Sequence, residues 1–311
     1  MRFFLLLLGI VFGTRVWAIK PGSYSAKIGG LQIHYVVRGT GPVMIAGHPN
    51  SGKIAYELTL QPLEKYFTMV YYDPRGTGAS EAPASLEKYN ARYLVDEIEA
   101  LRNQLKAKQV WLFGHSDQST IALAYTLKYP QYSAGLILTG TSYTGTAAEM
   151  ITRRKTTEAY RAAQSAWFAQ VIKDWDYMQV CGTSVDSLGR DLSLAPVKWW
   201  CYDAVSAQKV IPVALEVAKA GRRKPVNGRF WQAGAEEIKI YLDWQKRFEE
   251  IKVPTLILNG KYDTNNPPEY VEQLSNSLPN AKLVLIEEAG HFPWVEAPDP
   301  FFSAIKHWLE S

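Results

Sequence analysis

The sequence contains few of the residues that bind metal ions. Its 311 residues include two cysteines, Cys181 and Cys201, and five histidines. No histidine lies near either cysteine, so the ligand spacing of a cysteine–histidine metal site is missing. We therefore predict no metal ion and no other cofactor.

Basic residues are also not gathered into a long run. The formal net charge is +4, with 34 lysines and arginines against 30 acidic residues. The short cluster Arg222-Arg223-Lys224 lies between a glycine and a proline, which is typical of a solvated loop. We therefore expect no nucleic-acid partner. The composition leaves the oligomeric state open.

The longest apolar run is too short to cross a membrane. The chain begins MRFFLLLLGIVFGTRVWA, in which Arg2 supplies a positive charge, Phe3–Phe12 the apolar run and Val16-Trp17-Ala18 a small-x-small cleavage site. A membrane span needs roughly 20 apolar residues. We predict a cleaved signal peptide over residues 1–18 and a secreted or periplasmic protein without stable membrane insertion.

Export would place the two cysteines in a compartment where disulfides form. Cys181 and Cys201 are twenty residues apart in the sequence. A structural disulfide is one interpretation of this pair, and two separate thiols are the other. The sequence favours the disulfide slightly.

Strand and helix patterns alternate along most of the chain. Two β-rich runs, Ser25–Gly29 and Leu31–Val37, predict a hairpin. Apolar runs bounded by turn residues predict buried strands, and apolar residues at helical spacing predict helices. The strands are Pro42–Ala46, Met69–Tyr72, Val110–Phe113, Leu136–Leu138, Val253–Leu258 and Lys282–Ile286, and the helices are Tyr89–Leu105, Ser119–Lys128, Pro268–Leu278 and Pro300–Leu309. This alternation predicts the α/β class, with a mostly parallel sheet and helices on both faces.

A long helical region interrupts the alternation. From Tyr143 to Phe248 no apolar run ends in a glycine turn, and stretches such as Thr157–Asp174 have helical periodicity. Six of the ten tryptophans lie there. We interpret residues 143–250 as a helical lid, inserted between two parts of an α/β core at residues 19–142 and 251–311.

Polar motifs follow several predicted strands, at the edge where open parallel sheets place their sites. They are AGHPNSG (46–52), DPRGTGAS (73–80), GHSDQS (114–119), NGKYD (259–263) and EAGHFPWVE (288–296). On these motifs the chain resembles the α/β-hydrolases, and within them the prolyl iminopeptidase-like serine peptidases and their esterase relatives. The resemblance covers nearly all of the chain between the signal peptide and the end, outside the lid.

The resemblance implies a catalytic triad. In this fold the nucleophile, the acid and the histidine follow each other in that order along the chain. Ser116, Asp263 and His291 supply these residue types in that order. A serine hydroxyl is a weak nucleophile until an imidazole takes its proton, and the acid orients that imidazole.

The nucleophile turn has a second interpretation, in which Asp117 is the nucleophile, as in epoxide hydrolases and haloalkane dehalogenases. The residues two before and two after the nucleophile should be small. Each of the two interpretations leaves one bulky residue at these positions. The predicted strand ends directly at Gly114, which favours Ser116. Gln118 must then lean outward, or the helix start must shift so that Ser119 provides the small contact.

The oxyanion hole departs from the family pattern. The resemblance implies two main-chain N–H donors, one from Asp117 and one from a His-Gly-x-Pro loop. Here that loop reads Ala46-Gly47-His48-Pro49. Because proline has no N–H, we assign the second donor to the main chain of His48 and regard Pro49 as a candidate cis residue. The alternative is that the His48 ring points into the pocket.

The remaining motif, DPRGTGAS, predicts a structural loop without a direct catalytic role. We expect its glycines to form a tight loop in which Asp73 and Arg75 pair with each other.

The leading hypothesis is a serine hydrolase that forms an acyl-enzyme, an aminopeptidase of the prolyl iminopeptidase type. A carboxylesterase for small esters is the first alternative, and an inactive binding protein with the hydrolase fold is the second. A small molecule or short peptide is the expected substrate. The family binds the substrate's amino terminus with lid carboxylates, for which the candidates here are Glu149, Glu158, Glu216, Glu236 and Glu237.

Asp117 stands where the family has an aromatic residue, because Trp-Gly-Gly is replaced by Asp117-Gln118-Ser119. A carboxylate close to a developing oxyanion is unfavourable, since like charges repel. Two roles for Asp117 remain open. It caps the helix that begins near Ser119, or it binds a cationic substrate group such as a free amino terminus.

Overall fold

The computed structural model describes residues 19–141, 145–221 and 243–311. The predicted signal peptide, the basic cluster at 222–224 and the candidates Glu236 and Glu237 lie outside these ranges. Within them, no helix is both long and apolar enough to cross a membrane.

An eight-stranded sheet forms the centre of the described structure. Its strands are β1 (Gly22–Ile28), β2 (Leu31–Gly39), β3 (Val43–Ala46), β4 (Thr68–Tyr72), β5 (Val110–His115), β6 (Ser133–Thr139), β7 (Thr255–Gly260) and β8 (Ala281–Ile286). Their order across the sheet is β1-β2-β4-β3-β5-β6-β7-β8. The β1–β2 and β2–β4 pairs are antiparallel, and the remaining pairs are parallel. The predicted hairpin and the mostly parallel sheet are both confirmed.

Helices cover both faces of this sheet. The α-helices of the described residues are α1 (Ile54–Thr59), α2 (Ala91–Gln104), α3 (Asp117–Lys128), α4 (Ala147–Gln164), α5 (Ala166–Cys181), α6 (Ala195–Trp199), α7 (Ala204–Gly221), α8 (Pro268–Ser277), α9 (Pro293–Glu296) and α10 (Pro298–Leu309). Along each central strand successive side chains point to opposite faces. On β3, Ile45 packs with α2 and α3, while Met44 and Ala46 pack in a second core with α1 and α10. The strands are thus buried on both sides, which explains their continuous apolar runs.

The sequence missed some helix boundaries. The predicted helix over Thr157–Asp174 is two helices, because Ser165 breaks the run and its hydroxyl accepts a hydrogen bond from the N–H of Phe168 (3.2 Å) at the start of α5. The short helices α1 and α9 were not predicted, since one turn is too short to produce a periodic apolar pattern.

Among the described residues between β6 and β7 lie the helices α4 to α7, and none of these residues forms a strand of the sheet. We call them the inserted helices. They occupy the region predicted as a lid, whose exact boundaries stay a prediction. Tryptophans of this region pack together, with the rings of Trp175 and Trp199 at 5.3 Å between centroids.

The favoured disulfide is wrong. Cys181 and Cys201 are both free, Cys181 exposed at the end of α5 and Cys201 buried. The Cys201 thiol donates a hydrogen bond to the carbonyl of Val197 (3.3 Å), one turn earlier. Twenty residues of spacing allow a bridge, but the fold places one cysteine inside and the other outside.

Candidate active site

The predicted nucleophile Ser116 occupies the sharp turn between β5 and α3. Its backbone has φ 54° and ψ −127°, a conformation that costs energy for any residue with a side chain. The turn is held by the N–H of Ser116, which donates to the carbonyl of Thr139 (3.0 Å), and by its carbonyl, which accepts from the N–H of Ser119 (2.9 Å). The strained conformation presents the half-buried Ser116 side chain at the carboxyl edge of the sheet.

The close contact of this turn is between Gly114 and Ser119. A Cβ atom at Gly114 would lie 2.7 Å from the Cα of Ser119, so only glycine fits. The small contact therefore comes from Ser119, as one of the two alternatives predicted. Gln118 does not lean outward, since it is only 1% exposed. The helix starts at Asp117, two residues earlier than predicted.

The predicted acid and base are joined by a hydrogen bond. His291 Nδ1 lies 2.8 Å from Asp263 Oδ2, and both side chains are almost fully buried. Asp263 Oδ1 also accepts from the main-chain N–H groups of Asn265 (2.9 Å) and Asn266 (3.1 Å). These bonds fix the carboxylate just after β7, so that it orients the imidazole.

The pKa values of this pair depend on each other. Burial alone would raise the pKa of Asp263, but the charge of His291 and the hydrogen bonds hold it below its usual value. Burial alone would lower the pKa of His291, but the charge and hydrogen bond of Asp263 raise it above the ordinary value of 6.5. The mutual attraction outweighs desolvation in both groups.

A second histidine supports the first. His115 is buried directly before Ser116, with its ring 4.7 Å from the His291 ring between centroids. Its Nε2 donates to the carbonyl of His291 (3.1 Å), so its Nδ1 accepts from the hydroxyl of Tyr56 (3.0 Å). Burial lowers the pKa of His115 well below its usual value, and it stays neutral. His115 thus supports the ring and the main-chain carbonyl of His291.

Ser116 and His291 lie on neighbouring segments but are not bonded to each other. His291 packs over Gly140, where a Cβ would lie 2.9 Å from the ring, while Ser116 is held by Thr139 next to that glycine. Ser116 Oγ makes no hydrogen bond to His291 within the described residues. Such bonds are often long in enzymes without substrate and shorten when the substrate binds.

The main-chain N–H of His48, predicted as an oxyanion donor, is already hydrogen-bonded within its own loop. It donates to the carbonyl of Gly52 (3.1 Å), and the N–H of Gly52 donates back to the carbonyl of His48 (2.9 Å). The described residues contain no cis peptide bond, so Pro49 is trans and the prediction of a cis residue there is wrong. The loop closes on itself and uses the N–H that the sequence assigned to an oxyanion.

The His48 ring, in contrast, lies beside the turn of Ser116. Ala46 pairs with Phe113 across β3 and β5, which brings His48 next to His115, with 5.9 Å between ring centroids. Its Nδ1 accepts from the N–H of Asn50 (3.2 Å), so the proton of the neutral ring is on Nε2. Burial lowers the pKa of His48 to about 3. Within the described part of the chain, His48 Nε2 donates to no group.

Asp117 does not cap a helix. It is the first residue of α3 rather than its N-cap, and no side chain caps this helix. Its Oδ2 accepts a hydrogen bond from Asn50 Nδ2 (2.8 Å). The capping role is therefore wrong, because Asp117 is bonded to the loop that carries His48. No sequence pattern indicates this contact, since Asn50 is 67 residues away.

The lid carboxylates that the structure describes have local partners. Glu149 forms a capping box with Thr146 at the start of α4. Glu158 accepts from Arg154 Nε (2.9 Å) and from Trp199 Nε1 (2.7 Å). Glu216 forms an exposed ion pair with Lys219. Each contact belongs to the packing of the inserted helices.

The motif DPRGTGAS forms scaffold, but not by the predicted pairing. Asp73 accepts from the main-chain N–H groups of Lys53 (2.9 Å) and Ala79 (3.0 Å), whereas Arg75 Nε pairs with the buried Glu97 of α2 (3.0 Å). Each charge has its own partner, so Asp73 and Arg75 do not pair with each other. In the described ranges, no cluster of three histidine, cysteine or acidic side chains could hold a metal ion.

Comparison with known proteins agrees with this architecture. A family model described as alpha/beta hydrolase fold matches residues 43–298. The chain is 26% identical over 301 residues to a proline iminopeptidase of Saccharolobus solfataricus, covering 91% of both chains. It is 24% identical over 280 residues to a proline iminopeptidase of Heyndrickxia coagulans, covering 88% of this chain and 92% of that one.

Solved structures share the fold. A proline iminopeptidase-related protein from Thermus thermophilus superimposes with a TM-score of 0.70 at 21% identity, covering 94% of this chain and 98% of that one. A thermophilic esterase from Thermogutta terrifontis superimposes with a TM-score of 0.63 at 21% identity, covering 93% of this chain and 98% of that one.

The first prediction concerns the buried pair. Asp263→Asn should lower the pKa of His291, because the carboxylate is what raises that pKa against desolvation. NMR titration of the His291 imidazole should give a midpoint above pH 6.5 in the wild type and a lower one in the variant. Asp96→Asn, which changes an exposed aspartate paired with Lys128, should leave the midpoint unchanged. Equal midpoints in Asp263→Asn and the wild type would show that the two side chains do not interact in solution.

Proposed function

Because the chain belongs to the α/β-hydrolase fold family and is a hydrolase of that family, we propose that it is an exported serine aminopeptidase. It acts through an acyl-enzyme on Ser116, with His291 as general base and Asp263 as the acid that orients it. The observation that carries this proposal is the buried hydrogen bond between His291 and Asp263, at the same sheet edge as the strained turn of Ser116.

The proposed reaction has two steps. Ser116 Oγ attacks the substrate carbonyl while His291 Nε2 takes the hydroxyl proton, and the protonated imidazole then gives that proton to the leaving amine. This forms the acyl-enzyme and releases the first product. A water molecule then gives its proton to His291 and attacks the acyl carbon, and Ser116 leaves with the proton returned. Asp263 stabilises the imidazolium that forms in each step.

Two N–H groups would stabilise the oxyanion. One is the main-chain N–H of Asp117, the first amide of α3, which points out of the start of the helix. The other is the Nε2–H of the neutral His48 ring, which takes over from the main-chain N–H that is bonded to Gly52. A ring with a pKa of about 3 stays neutral at physiological pH and donates one hydrogen bond without adding a charge.

The substrate would be a peptide or amide with a free amino terminus. The two relatives above carry the name proline iminopeptidase and match this chain over about nine tenths of its length. Asp117, directly after the nucleophile, offers a carboxylate that does not cap the helix, and Asn50 orients it by a 2.8 Å hydrogen bond. A cationic amine bound there would offset the repulsion between Asp117 and the oxyanion.

The second prediction tests the nucleophile. Ser116→Ala should abolish both hydrolysis of amino-acid arylamides and labelling by a fluorophosphonate probe, since the nucleophilic oxygen is gone. The melting temperature should change little, because this hydroxyl makes no hydrogen bond to His291. Ser303→Ala, at an exposed serine of α10, should keep full activity. An active Ser116→Ala together with an inactive Asp117→Asn would instead identify Asp117 as the nucleophile.

The third prediction tests the oxyanion donor. His48→Ala should reduce kcat by about 10²–10³ with little change in KM, as expected when one oxyanion donor is lost. His48→Gln should recover part of the rate, because its amide can donate from a similar position. Both variants keep the main-chain N–H, so a wild-type kcat in His48→Ala would rule out the ring as donor. His307→Ala, at an exposed histidine of α10, is the control.

The fourth prediction tests amine recognition. Asp117→Asn should depress turnover of free-amine arylamides far more than turnover of their N-acetylated counterparts or of neutral nitrophenyl esters, because only the first class carries the cation. Glu216→Gln, which removes an exposed carboxylate from α7, should leave all three classes unchanged. Equal losses on the three classes in Asp117→Asn would rule out recognition of the amine, and ester turnover alone in the wild type would identify a carboxylesterase.

A further inference from the structure

A short segment of the inserted helices crosses the loop that carries His291. We call this segment, Trp200–Tyr202 between α6 and α7, the strap. The N–H of His291 donates to the carbonyl of Trp200 (2.8 Å). A Cβ at Gly290 would lie 2.2 Å from that carbonyl oxygen and 3.1 Å from the main chain of Cys201 and Tyr202. The strap therefore lies directly on the main chain of the loop, where only glycine leaves room.

One buried carboxylate binds both the strap and the loop. Glu296 of α9 is 2% exposed. Its Oε2 accepts from the N–H of Tyr202 in the strap (2.7 Å) and from the N–H of Gly290 in the loop (3.0 Å), and its Oε1 accepts from the N–H of Phe292 (3.0 Å). The two main-chain donors on either side of His291 are thus held by the same side chain that holds the strap.

A buried guanidinium binds the strap from α4. Arg161 is 5% exposed, and its Nη2 donates to the carbonyls of Cys201 (2.7 Å) and Tyr202 (2.8 Å). Its Nη1 donates to Thr264 Oγ1 (2.5 Å), the residue after Asp263. Burying a charge costs several kcal/mol unless hydrogen bonds compensate it, and both Arg161 and Glu296 direct their hydrogen bonds to the strap and the two catalytic loops.

The strap also touches the imidazole itself. The indole ring of Trp200 stacks on the His291 ring, with 5.7 Å between centroids and 28° between planes. The ring of His115 packs on His291 as well, at 4.7 Å between centroids. The imidazole is thus held by a strap residue and by a residue of the core.

We propose that Glu296, Arg161 and Trp200 are positioning residues for His291, and that through the strap the inserted helices hold the general base in place for Ser116. The proposal rests on the proposed serine-hydrolase function. Glu296 and Arg161 bind the strap and the loops that carry His291 and Asp263 by hydrogen bonds, and the charge of Glu296 also raises the pKa of His291. Their loss should therefore slow the chemical step and leave substrate affinity unchanged.

The experiment compares Glu296→Gln and Glu296→Ala with the same changes at Glu287. Glu287 lies in the same connection between β8 and α9, but it is exposed and pairs with Lys261. The readouts are the second-order rate of fluorophosphonate labelling, kcat and KM for an arylamide, and the melting temperature. Labelling reports the activation of Ser116 by His291 and does not depend on the identity of the substrate.

The expected order of labelling rates and kcat is wild type, then Glu296→Gln, then Glu296→Ala. The glutamine variant should lose at least tenfold in kcat with KM within twofold of the wild type. Glutamine has a single acceptor oxygen, so it cannot serve all three N–H donors, and alanine serves none. Both Glu287 variants should match the wild type. A folded Glu296→Gln with the wild-type kcat and labelling rate would overturn the proposal.

A second pair of variants keeps the test decisive if Glu296→Ala does not fold. Trp200→Ala removes the stacked ring but leaves the main chain of the strap, and Trp200→Phe restores an aromatic ring. The labelling rate should fall at least fivefold in Trp200→Ala and recover in Trp200→Phe, and equal rates in the two would overturn the proposal. A wild type that does not label at all would instead contradict the serine-hydrolase function, so the two failures are distinguishable.

Discussion

The hydrogen bond between Asp263 and His291 is the interaction around which the candidate site is organised. Burial would push the two pKa values in opposite directions, towards a neutral acid and a neutral imidazole. Their contact, together with the main-chain hydrogen bonds to the carboxylate, holds the pKa of Asp263 below its usual value, and the contact raises the pKa of His291. A pair that depends on a 2.8 Å contact needs rigid loops on both sides. The surrounding hydrogen bonds supply that rigidity from three directions.

Two of these sets of hydrogen bonds come from the α/β core, and the third comes from the inserted helices. On the first side, the N–H groups of Asn265 and Asn266 hold the carboxylate of Asp263. On the second, His115 connects Tyr56 to the carbonyl of His291. On the third, the strap binds the N–H of His291. The loop is thus fixed by the carbonyl of His291 from the core and by its N–H from the inserted helices, so the position of His291 depends on both parts of the fold.

The sequence predicted those features that follow from local patterns. Buried strands such as Val110–Phe113 are recognisable as apolar runs because both of their faces are covered. The position of the Ser116 turn follows from this strand, which ends at His115. The sequence did not predict contacts between residues that are far apart in the chain. The role of Asp117 depends on Asn50, and that of Glu296 on Tyr202, 94 residues earlier in the chain. No spacing rule encodes such pairs, since they form only after the sheet and the inserted helices have packed.

The loop that carries His48, the proposed oxyanion donor, shows how one hydrogen bond decides between two candidate N–H groups. Freeing the N–H of His48 would leave the carbonyl of Gly52 without its donor, and an unsatisfied buried polar group costs about 1–3 kcal/mol. One oxyanion donor lowers the barrier by about 2.7–4 kcal/mol, so the opened loop would keep only part of that gain. The next residue of the loop, Lys53, donates its own N–H to Asp73, which adds to the cost of opening. The Nε2–H of the His48 ring gives up no existing bond among the described residues, and its Nδ1 is already oriented by Asn50. The closed loop therefore favours the ring over the main chain as the donor.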